Sequence, residues 1–281
     1  MNSIDLYNHS CNRCSELITK KYSTSFSLGI RVSDKEFRNT IYGIYGFVRF
    51  ADEIVDTFHD FDKRQLLADF RKDTFKAIEQ GISLNPVLQS FQQVVNTYQI
   101  DHHLITDFLD SMEMDLHKTT YESEALYQKY IYGSAEVVGL MCLQVFTRGD
   151  KDYYEELAPY AKSLGAAFQK INFLRDMNSD LKDRGRVYFP GIDLTRFDEY
   201  TKQEILKDIQ KDFDSALEGI KRLPKGARRG VYLAYVYYLN LYKNIRKATV
   251  EKIMEERIRV SDRQKAYLLM NSVVRNSMNL L

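Results

Sequence analysis

The chain is 281 residues long and its charges balance, 40 Lys+Arg against 39 Asp+Glu, so no overall basic field marks it for nucleic acid. Its three cysteines, Cys11, Cys14 and Cys142, are too few and odd in number for a disulfide framework, which fits a reducing compartment. With 44% hydrophobic residues but only 4 Pro and 13 Gly, the composition favours long helices around a sizeable core.

Residues 2–21 read as a helix ending at Lys20-Lys21. Within it Cys11-x-x-Cys14, with His9 nearby, lacks the second ligand cluster that a structural zinc site needs and reads as ordinary helix. The first residues show no basic region followed by an apolar run, so no signal peptide is expected. Residues 22–33, YSTSFSLGIRVS, are hydroxyl-rich and are expected to be irregular. Ser33 with Glu36 resembles a capping box, opening a helix over 34–58. An amphipathic segment over 62–80 ends at Gly81, Asn85-Pro86 opens another to Tyr98, and 101–117 presents Leu104, Phe108, Leu109 and Met112 on one face. Residues 123–147 are mostly apolar with small residues Gly133, Ala135 and Gly139; their most apolar run, 137–146, is too short to span a bilayer. Helical spacing returns over 152–181, 201–223, 226–256 and 259–281, while 182–197, with glycines and a proline, reads as a loop. No strand, repeat or linker stands out. The expectation is a single all-α domain over residues 1–281, with long helices surrounding a central active-site cavity.

Two helical stretches carry a polar stripe within apolar sequence. In YGFVRFADEIVD (45–56), Tyr45, Arg49, Asp52 and Asp56 share one face. In the segment starting at Gln169, the residues Gln169, Asn172, Asp176 and Asp180 are spaced three, four and four apart and do the same. Like charges four apart cost about 0.2–0.5 kcal/mol in an isolated helix, a cost that vanishes when a divalent cation lies between them. One such pair is usually a solvated face. Two pairs, each with an arginine beside it (Arg49, Arg175), point to a site. Mg²⁺ is commonly held by one or two carboxylates plus substrate phosphates, and as a Lewis acid it promotes loss of a diphosphate. The arginines suit bidentate contact with phosphate, or they merely pair with the neighbouring acids; both readings stand. No Ser-His-Asp triad, Walker loop or Rossmann fingerprint is present, and His9, His59, His102, His103 and His117 have no metal-ligand spacing near the aspartates.

ADEIVD (51–56), preceded by Arg49, and NFLRDMNSDLKDRGRVYFP (172–190) resemble the two aspartate-rich signatures of the phytoene/squalene synthase family. STSFS (23–27) resembles its hydroxyl motif and YGSAEVVG (132–139) its small-residue helix, so the resemblance runs over nearly the whole chain; RGRVYFP is most similar to the phytoene synthase branch. The resemblance implies a class I isoprenoid synthase fold that joins two prenyl diphosphates head to head. It implies Mg²⁺, with Mn²⁺ as the alternative ion, at Asp52, Asp56, Asn172, Asp176 and Asp180. One substrate would ionise, and the C2–C3 double bond of the second would attack the allylic cation. The resulting cyclopropylcarbinyl diphosphate would ionise in turn, rearrange and lose a proton. Two geranylgeranyl diphosphates would thus give phytoene, for carotenoid biosynthesis. The motif positions put Ser23, Ser25, Tyr45, Arg49, Gln169, Asn172 and Arg175 around the diphosphates, and Tyr238 and Arg257 match C-terminal family positions.

The rival within the family is a squalene or dehydrosqualene synthase using farnesyl diphosphate, with NADPH required only for squalene. A head-to-tail elongase fits less well, because Glu53 follows Asp52 where that group carries DDxxD. A non-catalytic scaffold or lipid-binding relative would have lost its metal ligands, and all are present. A water-insoluble product and the lack of a spanning segment imply a cytoplasmic protein in reversible contact with the inner face of the cytoplasmic membrane. The stretch 226–242, GARRGVYLAYVYYLNLY, is a candidate contact surface, against the alternative of a buried helix with a basic first turn. The motifs carry no information on oligomeric state.

Overall fold

A computed structural model describes residues 2–117, 120–121, 123–190 and 197–277. Among them the fold is all-α: α1 (Ser3–Tyr22), α2 (Thr24–Val32), α3 (Lys35–Asp56), α4 (Lys63–Gln80), α5 (Pro86–Tyr98), α6 (His102–His117), α7 (Glu124–Ile131), a π-helical turn (Tyr132–Glu136), α8 (Val137–Phe146), α9 (Lys151–Arg184), α10 (Glu199–Arg222), α11 (Lys225–Lys247), α12 (Val250–Glu255) and α13 (Asp262–Ser277). Extended pairing among the described residues is limited to one isolated parallel bridge, Thr120 to Val187.

The punctuation read from sequence acts as expected at several ends. Asp62 caps α4 by accepting from the Gln65 N–H, and Gly81 ends it in the left-handed region at φ 68°. Asn85 caps α5, with Pro86 in its first turn.

Five expectations are corrected. The hydroxyl-rich 22–33 is not irregular but forms α2, because Ser23 caps it, its Oγ accepting from the Phe26 N–H at 3.2 Å. No Ser33–Glu36 capping box forms: Ser33 ends α2, and its hydroxyl donates back to the Gly29 carbonyl at 3.3 Å. The helix over 123–147 is interrupted by the π-turn, and that over 226–256 breaks at Ala248, after which Thr249 caps α12. The loop expected from 182 begins only after Arg184, at Gly185 with φ 62°. Residues 191–196 of that loop, and 278–281 of the last expected helix, lie outside the described residues.

Two apolar clusters flank α9. One joins α3, α4, α5, α6 and α8, where Phe47 stacks on Phe91 at 3.9 Å between centroids. The other joins α7, α9, α10, α11 and α12, with Phe173 stacked on Tyr188 at 4.0 Å. Close approach of α6 and α9 to the π-turn requires glycine: a Cβ on Gly133 would sit 2.6 Å from the Asp107 carbonyl, and one on Gly165 2.7 Å from the Ala135 carbonyl. Between the clusters a cavity of about 740 Å³ remains open.

Candidate active site

Helical spacing turns each polar stripe into one wall of that cavity. Tyr45, Arg49, Asp52 and Asp56 of α3 and Gln169, Asn172, Asp176 and Asp180 of α9 all line it, as do Ser23, Arg175, Tyr238 and Arg257. Ser25 is the exception among the expected residues and is not part of the lining. Ser23 is the extended cap residue before α2 (φ −143°, ψ 103°) and its hydroxyl turns toward the helix start, whereas Ser25 lies within the first turn of α2.

Asp52, Asp56 and Asp176 each have basic company. Arg49 pairs with Asp52 at 3.4 Å and with Glu53, and its guanidinium lies 4.4 Å from the Tyr22 ring centre. Arg175 grips Asp176 through Nε (2.9 Å) and Nη2, and Arg257 adds a third contact, Nε to Oδ1 at 2.7 Å. Burial works against the charge on Arg175, but its bond to Asp176 outweighs this, so it stays cationic. Tyr238 donates to Asn172 Oδ1 at 3.2 Å and stacks on Phe168 at 3.9 Å. Burial pushes the Tyr45 phenol up to about 12 and raises Tyr238 as well, so both remain protonated donors. Among the described residues, no three His, Cys, Asp or Glu side chains converge closely enough to hold an ion by themselves.

Sequence reasoning missed a buried group behind the rim. Asp115 of α6 accepts from the Tyr130 hydroxyl at 2.8 Å and from Tyr121 at 3.2 Å. Burial lifts its carboxyl to about 6, although Arg186 pulls the other way. Asp115, Tyr130, Arg186 and Tyr188 all line the cavity. A signal existed: Asp115 lies three residues after Met112 and seven after Phe108, on the buried face of α6. Nothing in the sequence separates Tyr130 from the many core tyrosines.

Away from the acids the wall becomes apolar, with Ile44, Val138, Leu143, Leu164 and Ile220, and it reaches Ile41, fifteen residues up α3 from Asp56. That is about 22 Å of helix. The cavity therefore offers a charged rim and a long apolar interior, an arrangement that suits a polar head at one end and a hydrocarbon chain at the other.

This is the isoprenoid synthase fold. The chain superposes on the crystal structure of a dehydrosqualene synthase in complex with ligand with a TM-score of 0.83, at 22% identity over 96% of this chain and 98% of that one. A squalene synthase from Alicyclobacillus acidocaldarius matches with a TM-score of 0.75, at 20% identity over 86% and 95% of the two chains. The profile of the squalene/phytoene synthase family matches residues 19–264, and the chain belongs to that family of head-to-head prenyltransferases in isoprenoid biosynthesis. Relatives include a 4,4'-diapophytoene synthase of Staphylococcus haemolyticus, 27% identical over 82% of this chain and 86% of its own length. A 15-cis-phytoene synthase of Synechocystis is 29% identical over 81% and 73%, and a chloroplastic phytoene synthase of Daucus carota 29% identical over 85% and 64%.

Proposed function

We propose that the chain is a phytoene synthase, condensing two geranylgeranyl diphosphates head to head through a cyclopropylcarbinyl (prephytoene) diphosphate. The observation that carries this is the meeting of both aspartate pairs at the rim of one deep apolar cavity. The RGRVYFP segment and the phytoene synthases among its relatives support the longer substrate.

The rim residues fit a divalent cation. They offer only hard oxygen donors from two helices, and their partial convergence suits an ion whose remaining ligands are diphosphate oxygens and water. Asp52, Asp56, Asn172, Asp176 and Asp180 would hold Mg²⁺, or Mn²⁺ in its place. When bound, the metal offsets the charge of the leaving diphosphate and polarises its oxygens. The protein's own groups do the rest. Arg49, Arg175 and Arg257 are set to fork onto phosphate oxygens once the acids they now contact turn to metal. Ser23, Tyr45 and Gln169 supply neutral donors. The apolar interior keeps water from a carbocation, and the rings of Phe26, Phe168 and Tyr130 offer it π-faces.

A second reading keeps the reaction and shortens the substrate to farnesyl diphosphate, giving dehydrosqualene, or squalene where NADPH is used. The staphylococcal relative and the dehydrosqualene synthase neighbour favour it. Incubation with each diphosphate separately, with and without NADPH, followed by product analysis, decides between them: phytoene from the C20 substrate supports the proposal, and a C30 product alone overturns it. Diphosphate release that is absent with both substrates at saturating Mg²⁺ would instead favour a scaffold role. Reversible contact with a membrane completes the proposal, since no helix among the described residues is long and apolar enough to cross one.

A further inference from the structure

Arg186 is buried, with 8% of its side chain exposed, yet it sits beside two carboxylates from different helices. Its Nη1 donates to Asp56 Oδ1 at 2.9 Å, on α3. Its Nη2 donates to the Asp115 carbonyl at 3.0 Å, and the Asp115 carboxylate lies 3.9 Å from Nη1, on α6. Its backbone N–H donates to the carbonyl of Asp180 at 2.9 Å, closing the end of α9. One residue thus ties the second aspartate of one motif, by its side chain, to the second aspartate of the other, by its backbone. Asp115 is fixed in turn by the Tyr121 and Tyr130 hydroxyls, and Tyr188, 3.4 Å from Nη1, is clamped against Phe173.

We propose that Arg186, seated on Asp115, is the positioning residue that orients Asp56 and sets the spacing between the two acidic helices before metal and diphosphate arrive. This rests on the reading that the rim aspartates bind metal and diphosphate. Carboxylates that ligate metals are themselves oriented by hydrogen-bonded partners, and loss of such a partner costs about 10–100-fold in affinity. Arginine suits the task where lysine does not, because a planar fork can contact Asp56 and the Asp115 carbonyl at once. The choice of residue is otherwise costly, since a guanidinium out of water needs every partner it has.

The test is calorimetric titration of inorganic diphosphate with Mg²⁺ into the full chain, alongside circular dichroism and thermal melting. Wild type should bind; if it does not, the metal reading itself fails and not this refinement of it. Given wild-type binding, Arg186→Gln should weaken affinity about tenfold or more, Asp115→Asn by a smaller factor, and Arg186→Lys should fall between Arg186→Gln and wild type. The Mg²⁺ concentration for half-maximal turnover should rise in the same order. Wild-type affinity in Arg186→Gln overturns the proposal, as does a fall in melting midpoint that is equal with and without ligand. Tighter binding also overturns it, because Arg186 would then compete with the metal rather than orient its ligand. If Arg186→Gln does not fold, Arg186→Lys decides on the same criteria.

Discussion

Asp176 is held by two arginines from distant parts of the sequence, Arg175 beside it and Arg257 beyond α12. An Asn in its place keeps the size and one acceptor oxygen for those arginines, so the replacement should be tolerated by the fold more easily than by the chemistry. Asp176→Asn and Asp52→Asn are each expected to lower diphosphate release by about 100-fold or more while leaving the helical dichroism unchanged. Near wild-type turnover in either variant at saturating Mg²⁺ would remove that residue from the metal site. Asp115 behaves differently because it is buried. Its carboxyl rises from 3.8 to about 6 through burial, with Arg186 opposing and the neighbouring Asp56 adding to the rise. Around it stand Arg186, Asp56, Tyr121, Tyr130 and Tyr188. A folded-state value above the unfolded one means the folded chain takes up this proton first. The group's contribution to stability is thus greatest below about pH 4 and declines as pH rises to about 6. The melting midpoint of wild type relative to Asp115→Asn should decline across that window; a difference independent of pH would show that the carboxyl does not titrate there.

At the scale of elements, what was legible was whatever a regular helix converts into a face. The 3.6-residue period gave α3 through α6, α9 and α10 nearly at their ends, and it made the two aspartate stripes visible as facing walls. Three things were hidden for physical reasons. Hydroxyl-rich sequence reads as irregular because hydroxyls compete for backbone groups, yet in α2 the same chemistry closes the first turn, Ser23 capping and Ser27 bonding the Thr24 carbonyl. The π-turn adds a residue to the helix without any change of residue type, so only the close packing of Gly133 and Gly165 betrays it. Arg186 and Asp115 are far apart in sequence, and no spacing rule joins them. Two variants test these elements. Ser23→Ala should cost about 1 kcal/mol in urea unfolding through the lost cap, and because Ser23 also lines the cavity it should raise KM; unchanged stability would mean α2 does not depend on the cap. Gly165→Ala forces a methyl group against a carbonyl in backbone that cannot yield, which should cost about 1–3 kcal/mol and lower the melting midpoint. A neutral result would mean that α9 and the π-turn can move apart freely.

At the scale of the whole molecule, the proposed hydrocarbon product would have to pass from the cavity into something apolar, and side-chain burial bears on which surface is available for that contact. In 226–242 the tyrosines and leucines face inward: Tyr232, Leu233, Tyr235, Tyr238 and Leu241 are buried, and Arg228 is half-buried with Nη1 donating to the Lys221 carbonyl. The stretch is the buried helix of the alternative reading, with Arg229 left exposed in its first turn. Exposed aromatic rings stand instead at the acidic rim. Tyr22 is 51% exposed and itself lines the cavity, and Phe58 and Phe61, 37% and 67% exposed, lie two and five residues after Asp56 and pack edge-on at 6.2 Å. Lys20 and Lys21 are exposed immediately before Tyr22. Rings favour the membrane interface and lysines favour anionic headgroups, so the proposed membrane contact is expected at this rim. The double variant Phe58→Ser/Phe61→Ser should therefore lower co-sedimentation with anionic phosphatidylserine vesicles, whereas Arg228→Glu/Arg229→Glu should change it little. Turnover of detergent-dispersed substrate should stay at the wild-type level in the aromatic variant, because neither ring is part of the cavity lining. Sedimentation unchanged by loss of both rings would remove the rim as the contact surface, and a loss in the arginine variant alone would return it to α11.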